Sequence, residues 1–342
     1  MARAPRRSAS LLLAGLALAG GATFALRGAA PAPVPVRLKV LYVRFLSFAP
    51  IAIAQAEGFF RAQGLEVELV TLPESAEATP ALIQGELDVV GGMVKIGDFN
   101  AIARGAPLRL VADKGHFENG PCVPAAFVAR RDFVAAGSPD RPDRLRGARF
   151  ASRPLSFVEY LLELQLGRMG LSLPDVKLLR LPEVMVGEAI GNDSLDVGEL
   201  TEPNLTRSLR SGRSVIWKPV QEIYAGAQLA ALYFGPSLLE RNREAGRRFL
   251  VASLQGVRQY NLGKTTRNSE LLSKETGLDP ELLRQACWQP IRGDGKVNVE
   301  SVLDFQRWAV RRGALDAVVP VERFWDSTFA DEANGILGPA KP

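Results

Sequence analysis

The chain has 342 residues, of which 47% are hydrophobic and 23% charged. That length and balance support a large buried core and about two domains, and exclude a disordered or low-complexity chain. The formal charge of +5 is not a nucleic-acid footprint: Arg3, Arg6, Arg7 and Arg27 lie in residues 1–30, a stretch without an acid, and the rest of the chain carries about +1.

That N-terminal stretch reads as a targeting segment. Arg3, Arg6 and Arg7 form a basic lead, Leu11 to Gly21 an apolar run, and Gly20-Gly21-Ala22 a small-residue cleavage site. The run is short for a membrane span, although Phe24 to Leu26 lengthen it enough to keep an uncleaved anchor open. Arg6-Arg7 raises twin-arginine export as an alternative to the general route. The mature protein is expected outside the cytoplasm, in the periplasm. The cysteines Cys122 and Cys287 then have two readings, a disulfide permitted by an oxidising compartment or two free thiols.

Beyond the Pro/Ala-rich linker at Pro31 to Pro35, Arg37 to Val43 alternates with period two and predicts a strand. Pro50 to Phe60 has helical spacing with a stop at Gly58, and Gly64 to Val70 reads as a second strand. A helix over Ala78 to Gln84 ends at Gly85, followed by strands at Leu87 to Val90 and Leu108 to Ala112. Strands alternating with helices imply βαβ units and a mostly parallel sheet.

The pattern then recurs. Leu145 to Ala151 reads as a turn and strand, Ser156 to Met169 as a helix stopped by Gly170, and Val176 to Leu181 as a strand. Leu-Asp-Val at 87–89 and again at 195–197 follows a helix end in both places, so two similar α/β lobes are expected. Ala125 to Ala129 and Ala227 to Tyr233 are candidate connecting strands. Beyond Pro236 the pattern is helical, over Ala245 to Leu262, Asn268 to Thr276, Pro280 to Ala286 and Val299 to Arg312, and these helices are expected to pack back on the first lobe.

Ala49-Pro50 with Ala54-Gln55-Ala56-Glu57-Gly58-Phe59-Phe60 and Gly64-Leu65-Glu66-Val67 resembles the opening motif of the nitrate/sulfonate/taurine-type solute-binding family, which also holds binders of thiamine-pyrimidine precursors. The likeness continues through Gln84-Gly85-Glu86-Leu87-Asp88-Val89, Leu145-Arg146-Gly147-Ala148, Leu195 to Gly198 with Glu202-Pro203, and Asp294 to Asn298. The resemblance implies a type-II periplasmic-binding-protein fold. It has two α/β lobes with a ligand cleft between them, closing on a hinge and delivering to an ABC permease in the inner membrane. Lobe I would comprise residues 37–130 plus 226–335, and lobe II residues 131–225. One departure is local: the family often carries a His or another polar residue before the Ala/Pro element, where this chain has Ser47-Phe48.

In such a fold, loops at strand ends and helix N-termini meet the ligand, and free helix N–H groups suit anions. The first loop offers Ser47 and Phe48, read equally as a helix cap and a core aromatic. The second offers Glu74, the third Gly92 and Met93 in a glycine-rich run over 91–98 that suits backbone contact with an anion, and the fourth the single histidine, His116. Lobe II adds Ser152, Ser156, Phe157, Glu183, Glu199 and Glu202, whose acids hint at a ligand with an amine or other donors, or are simply solvated loop carboxylates.

No catalytic residue, metal site or cofactor is expected. The chain has one histidine, no Gly-x-Ser-x-Gly elbow and no His/Cys zinc pattern. Nothing places a base beside Cys122 to activate it. The reading is a monomeric binding protein with a small-molecule ligand, a permease partner and no nucleic-acid partner. A ligand sensor for a kinase or chemoreceptor is its nearest alternative, and an enzyme of the same fold the more distant one.

Overall fold

The computed structural model describes residues 34–72, 78–137 and 140–340. The targeting segment at 1–30 and Glu74 lie outside the described residues. The alternation read in the sequence forms β1 (Val36–Leu41), whose Leu38 and Val40 are buried while Arg37 and Lys39 are exposed. It pairs in parallel with β2 (Leu65–Val70) and β3 (Val89–Met93). With β4 (Arg109–His116) and β10 (Gln228–Phe234) the first sheet runs β2-β1-β3-β10-β4. The second runs β7-β6-β8-β5-β9, from β5 (Ala125–Arg130), β6 (Arg149–Ser152), β7 (Lys177–Arg180), β8 (Val197–Thr201) and β9 (Ser214–Pro219). The helices that position the site are α1 (Ala49–Ala56), α2 (Ala78–Gln84), α3 (Ile96–Ala103), α4 (Phe157–Gly167), α5 (Glu183–Gly191), α6 (Arg243–Tyr260), α7 (Pro280–Gln285) and α8 (Val299–Arg311).

The two sheets are built to one plan. In each, three parallel strands lie beside one antiparallel strand, β10 in the first and β5 in the second. The repeated Leu-Asp-Val does the same work twice. Asp88 accepts the Lys39 N–H at 2.7 Å and Asp196 the Arg149 N–H at 2.8 Å, so each carboxylate ties the strand it precedes to the neighbouring parallel strand. Leu87 and Leu195 are buried beneath these links.

One boundary differs from the sequence reading. Ala125–Arg130, assigned there to lobe I, pairs with β8 and β9 in the second sheet, so the chain crosses at 117–124 rather than near 130. An all-apolar strand suits the middle of either sheet, and only its pairing partners decide. The return crossing runs through 220–227, and the two are joined where Phe117 N–H donates to Ala227 O at 3.0 Å. Cys122, in the first crossing, is bonded to Cys287, just beyond α7, with Cα atoms 5.4 Å apart.

The C-terminal helices cover the first sheet, and α6 lies along α1. Gly256 makes that approach possible, since a Cβ there would land on the Pro50 carbonyl oxygen and 3.0 Å from the Ala54 Cβ. Gly256→Ala is therefore expected to destabilise the protein by about 1–3 kcal/mol, read from the urea midpoint. An unchanged midpoint would refute the close packing. Not all of these helices stay with the first lobe, as the sequence suggested. Phe305 of α8 packs with its ring tilted 5.1 Å from that of Phe157 of α4, and Glu163 of α4 accepts the Trp308 indole N–H at 2.9 Å, so α8 also braces the second lobe. Among the described residues no helix is long and apolar enough to cross a membrane.

Candidate functional site

Among the contacts between the two lobes, two lie at strand ends. Leu46 N–H, in the loop after β1, donates to Glu202 O at 3.4 Å, and Ile96 N–H, after β3, donates to Leu155 O at 3.3 Å, with Lys95 and Ser156 bridged alongside. The candidate site is built around these contacts. Ser47, Phe48, β3 and β4 come from the first lobe, and residues 152–156, Glu183 and Glu199–Glu202 from the second.

On the first lobe Ser47 does not cap the following helix; Pro50 occupies its first turn, and Ser47 instead accepts a hydrogen bond from Lys114 Nζ at 2.8 Å. Phe48 is buried, with the same ammonium 3.5 Å from its ring centroid and Tyr42 edge-on to it. Gly91 and Gly92 are not part of an anion-wrapping loop. They lie in β3, registered against Leu232 and Ala231 of β10, with Met93 at its end. The need for glycine at 91 is spatial: a Cβ there would come 2.5 Å from Lys114 Cε and 3.0 Å from a Phe48 ring carbon. Behind Gly92 and Met93 lies a small cavity of about 80 Å³, which Lys95, Asp98 and Tyr233 also line. Asp98 accepts the Thr79 hydroxyl at 2.8 Å, and its burial raises its pKa.

His116 is enclosed in a polar network where the lobes join. Its Nδ1 lies 2.8 Å from Asp113 Oδ2 and its Nε2 3.5 Å from Glu118. Asp113 also accepts from Gly115 N, Gln228 Nε2 and Arg292 N, at 2.6–2.8 Å. These bonds fasten the end of β4 to the start of β10 and to the C-terminal segment. The histidine's place at a strand end is thus a joint in the fold, with both ring nitrogens facing carboxylates.

On the second lobe Ser156 caps α4 by accepting the Glu159 N–H, and Glu159 returns to accept the Leu155 N–H at 2.6 Å, with Ser152 Oγ 3.4 Å away. This reciprocal cap holds the Arg153–Ser156 turn, in which Leu155 adopts φ +57°. Phe157 is fully buried against Tyr160 and Phe305 and offers no face to a ligand. The acids are engaged internally, which removes their hint of an amine ligand. Glu183 accepts from Thr201 N, Thr201 Oγ1 and Arg153 Nη1 at 2.7–3.3 Å. Glu199 bonds Arg153 Nη2 through one oxygen, while its other oxygen is buried with no hydrogen-bond partner among the described residues. Burial, with Glu183 adding to it against the pull of Arg153, raises the Glu199 pKa to about 7. Glu202 accepts from Thr206 and, across the lobes, from Cys287 N at 3.0 Å. Among the described residues no cluster of His, Cys, Asp or Glu is arranged to hold a metal.

Sequence reasoning missed Lys114 and Arg153, two cations close to these contacts through Ser47 and the 153–156 turn. The signal for Lys114 was present: Leu-Val-Ala-Asp-Lys-Gly-His places two charges inside a strand that is otherwise apolar, which a solvated loop does not require.

Two lobes on this plan, each with one antiparallel strand among parallel ones, form a periplasmic-binding-protein fold. The family model described as NMT1/THI5 like matches residues 46–261, and the chain belongs to that family, in agreement with the resemblance read from the sequence. No curated protein matches. Among solved structures the chain is similar to the ligand-binding component of an ABC-type import system from Staphylococcus aureus (12% identity, 87% of this chain and 99% of that one, TM-score 0.72). It is similar also to the periplasmic nitrate-binding protein from Synechocystis PCC 6803 (14%, 90% and 91%, 0.71). A third is the periplasmic aliphatic sulphonate binding protein from Escherichia coli (17%, 86% and 93%, 0.66).

Proposed function

We propose that this chain is the extracytoplasmic solute-binding protein of an ABC importer, a periplasmic monomer that takes a small organic molecule between its lobes by hinged closure and presents it to a permease. The observation that carries this reading is the convergence of polar groups from both lobes on the strand-end contacts between them. The fold and family support it, and so do the neighbours, whose names describe ABC import and the binding of sulphonate and nitrate. The proposed ligand surface comprises Ser47, Phe48, Gly92, Met93, Ser152, Ser156 and Glu199, with Lys114 and Arg153 added. A catalytic reading has little support: Cys122, the one thiol near His116, is bonded to Cys287. Native mass spectrometry of the mature protein, gently purified from its own cells, is expected to show a monomer with one small molecule bound, identifiable after denaturation. A protein that stays empty there and is stabilised by no added solute would defeat the reading.

A further inference from the structure

The disulfide grips a crossing between the lobes. The first crossing leaves β4 after His116 and enters β5 at Ala125, and its residues Glu118 to Cys122 are all exposed. The segment just beyond α7, residues 287–292, holds this crossing at both ends. At one end Pro290 O accepts the His116 N–H at 3.2 Å, and Gln289 Nε2 donates to His116 O. At the other end Cys287 is bonded to Cys122. Between the two grips the chain is open to solvent, and a Cβ on Gly120 would meet no other part of the protein within 4 Å. A hinge works by letting a few such residues absorb a change in backbone angles. A crossing fixed at both ends has lost most of that freedom.

The same segment reaches the second lobe. Cys287 N–H donates to the Glu202 carboxylate at 3.0 Å, and Glu202 O accepts the Leu46 N–H at 3.4 Å, one of the strand-end contacts between the lobes. Arg210, in the helix Asn204–Arg210 of the second lobe, lies 3.5 Å from Asp279, which caps α7. Disulfide staples serve chains too small to build a core, whereas this fold already buries Phe60, Phe127, Phe150, Phe234 and Phe305 completely. The bond instead joins the crossing to the residues that tie one lobe to the other.

We propose that the Cys122–Cys287 bond is a redox-sensitive clamp that sets how far the lobes open. Oxidised, it holds the crossing and keeps the lobes near the arrangement in which Leu46 and Ile96 bond across them. Reduced, it frees residues 117–124 and the lobes swing wider. The reductant is a dithiol. One of its thiolates attacks the sulfur of Cys122, the exposed residue of the pair, and Cys287 leaves as a thiolate that takes up a proton. The second thiol then breaks the mixed disulfide, releasing Cys122 as a thiol and the reductant as its own disulfide. Two electrons and two protons have then passed to the protein. Exposure is what leaves a disulfide open to such exchange. The proposal rests on the solute-binding reading and adds regulation to it, because the lobes that open are those that would close on the solute.

The test uses the full mature protein without denaturant. Treatment with dithiothreitol, and separately with reduced thioredoxin, is followed by alkylation and intact mass, which is expected to show both cysteines labelled. Amide hydrogen exchange is then compared in the oxidised protein, the reduced protein and a Cys122→Ala/Cys287→Ala variant, at times short against global unfolding. The amides of Leu46 and Ile96 are expected to exchange about tenfold faster in the reduced protein and the variant. The β1–β2 ladder should stay protected, and reoxidation with diamide should restore slow exchange. Should the variant fail to fold, the reduced wild type alone decides. A bond that resists both reductants until the protein unfolds overturns the proposal. So do Leu46 and Ile96 amides that keep their oxidised-state rates, and so does a β1–β2 ladder that exchanges along with them, which marks a staple of overall stability. Each of these leaves the solute-binding reading standing when native mass spectrometry still finds a bound molecule. A protein that opens on reduction but never holds a solute supports the clamp and defeats that reading.

Discussion

Replacing Cys122 and Cys287 together by serine lowers the unfolding free energy by about 2–5 kcal/mol, seen as a lower urea midpoint. The bond spans 165 residues of sequence, and the loop-entropy relation gives about 5 kcal/mol as the ceiling for so long a loop. Its position adds to the effect. Cys122 lies in the first crossing between the lobes, where Gln221 of the second crossing donates to its carbonyl at 3.1 Å. Cys287 carries the N–H that Glu202 accepts. Cutting the bond thus frees the crossing from α7 as well as enlarging the unfolded ensemble, and the m-value should steepen as that ensemble exposes more surface. Titration of thiols in denaturant should find none in the wild type. Two reactive thiols, or a double variant with an unchanged midpoint, would show that the pair does not form or does not matter.

Arg153→Met is expected to cost about 3 kcal/mol, the lower end of the range for breaking a buried ion pair, since the side chain retains some exposure. It leaves Glu183 and Glu199 together without their shared cation, and Glu199 already has one oxygen without a hydrogen-bond partner among the described residues. Adding Glu199→Gln should recover much of the loss by removing one of the two charges. The same carboxylate sets a pH dependence. Its folded pKa, about 7, is above the ordinary glutamate value near 4.5. Between those pH values the folded state holds a proton that the unfolded chain has released. Its contribution therefore favours folding at low pH and is lost as pH rises from 4.5 through 7. Glu199→Gln is expected to flatten this part of the stability profile. A profile that keeps its slope in the variant would place the titration elsewhere.

The local elements were legible because period and punctuation carry them. Gly85 stops its helix where the sequence placed the stop, while the helices before Gly58 and Gly170 end at Ala56 and Gly167, just short of the glycines; all three glycines have positive φ. The repeat was legible through Leu-Asp-Val, whose aspartates have one physical task in both lobes. Sheet membership was not legible for β5, since apolar content does not name a partner, and β9 (Ser214–Pro219) was missed because Trp217, Lys218 and Pro219 break its pattern. Of the candidate site, the strand ends were found but the charges at them were misjudged. Glu183 and Glu202 stood out as loop acids, yet what decides their role is whether a donor lies within reach, and Arg153, Thr201 and Thr206 are such donors. His116 stood out by rarity, while Lys114, two residues earlier, was not singled out.

The place of β10 in the first sheet constrains the order in which the molecule can be completed. This strand is not added at an edge. It is inserted between β3 and β4, which otherwise share no ladder, and it arrives more than a hundred residues after β4 has been made. Until residue 234 is available, the N-terminal part of the chain holds a sheet with its middle missing and two unpaired backbone edges, whereas the second sheet, built from 125–219, needs nothing from later in the chain. A ribosome or translocon delivering the polypeptide in sequence therefore completes the ladders of the second sheet first, with α8 joining α4 only later, and the first sheet remains open to chaperones, proteases and edge-to-edge association until the return strand closes it.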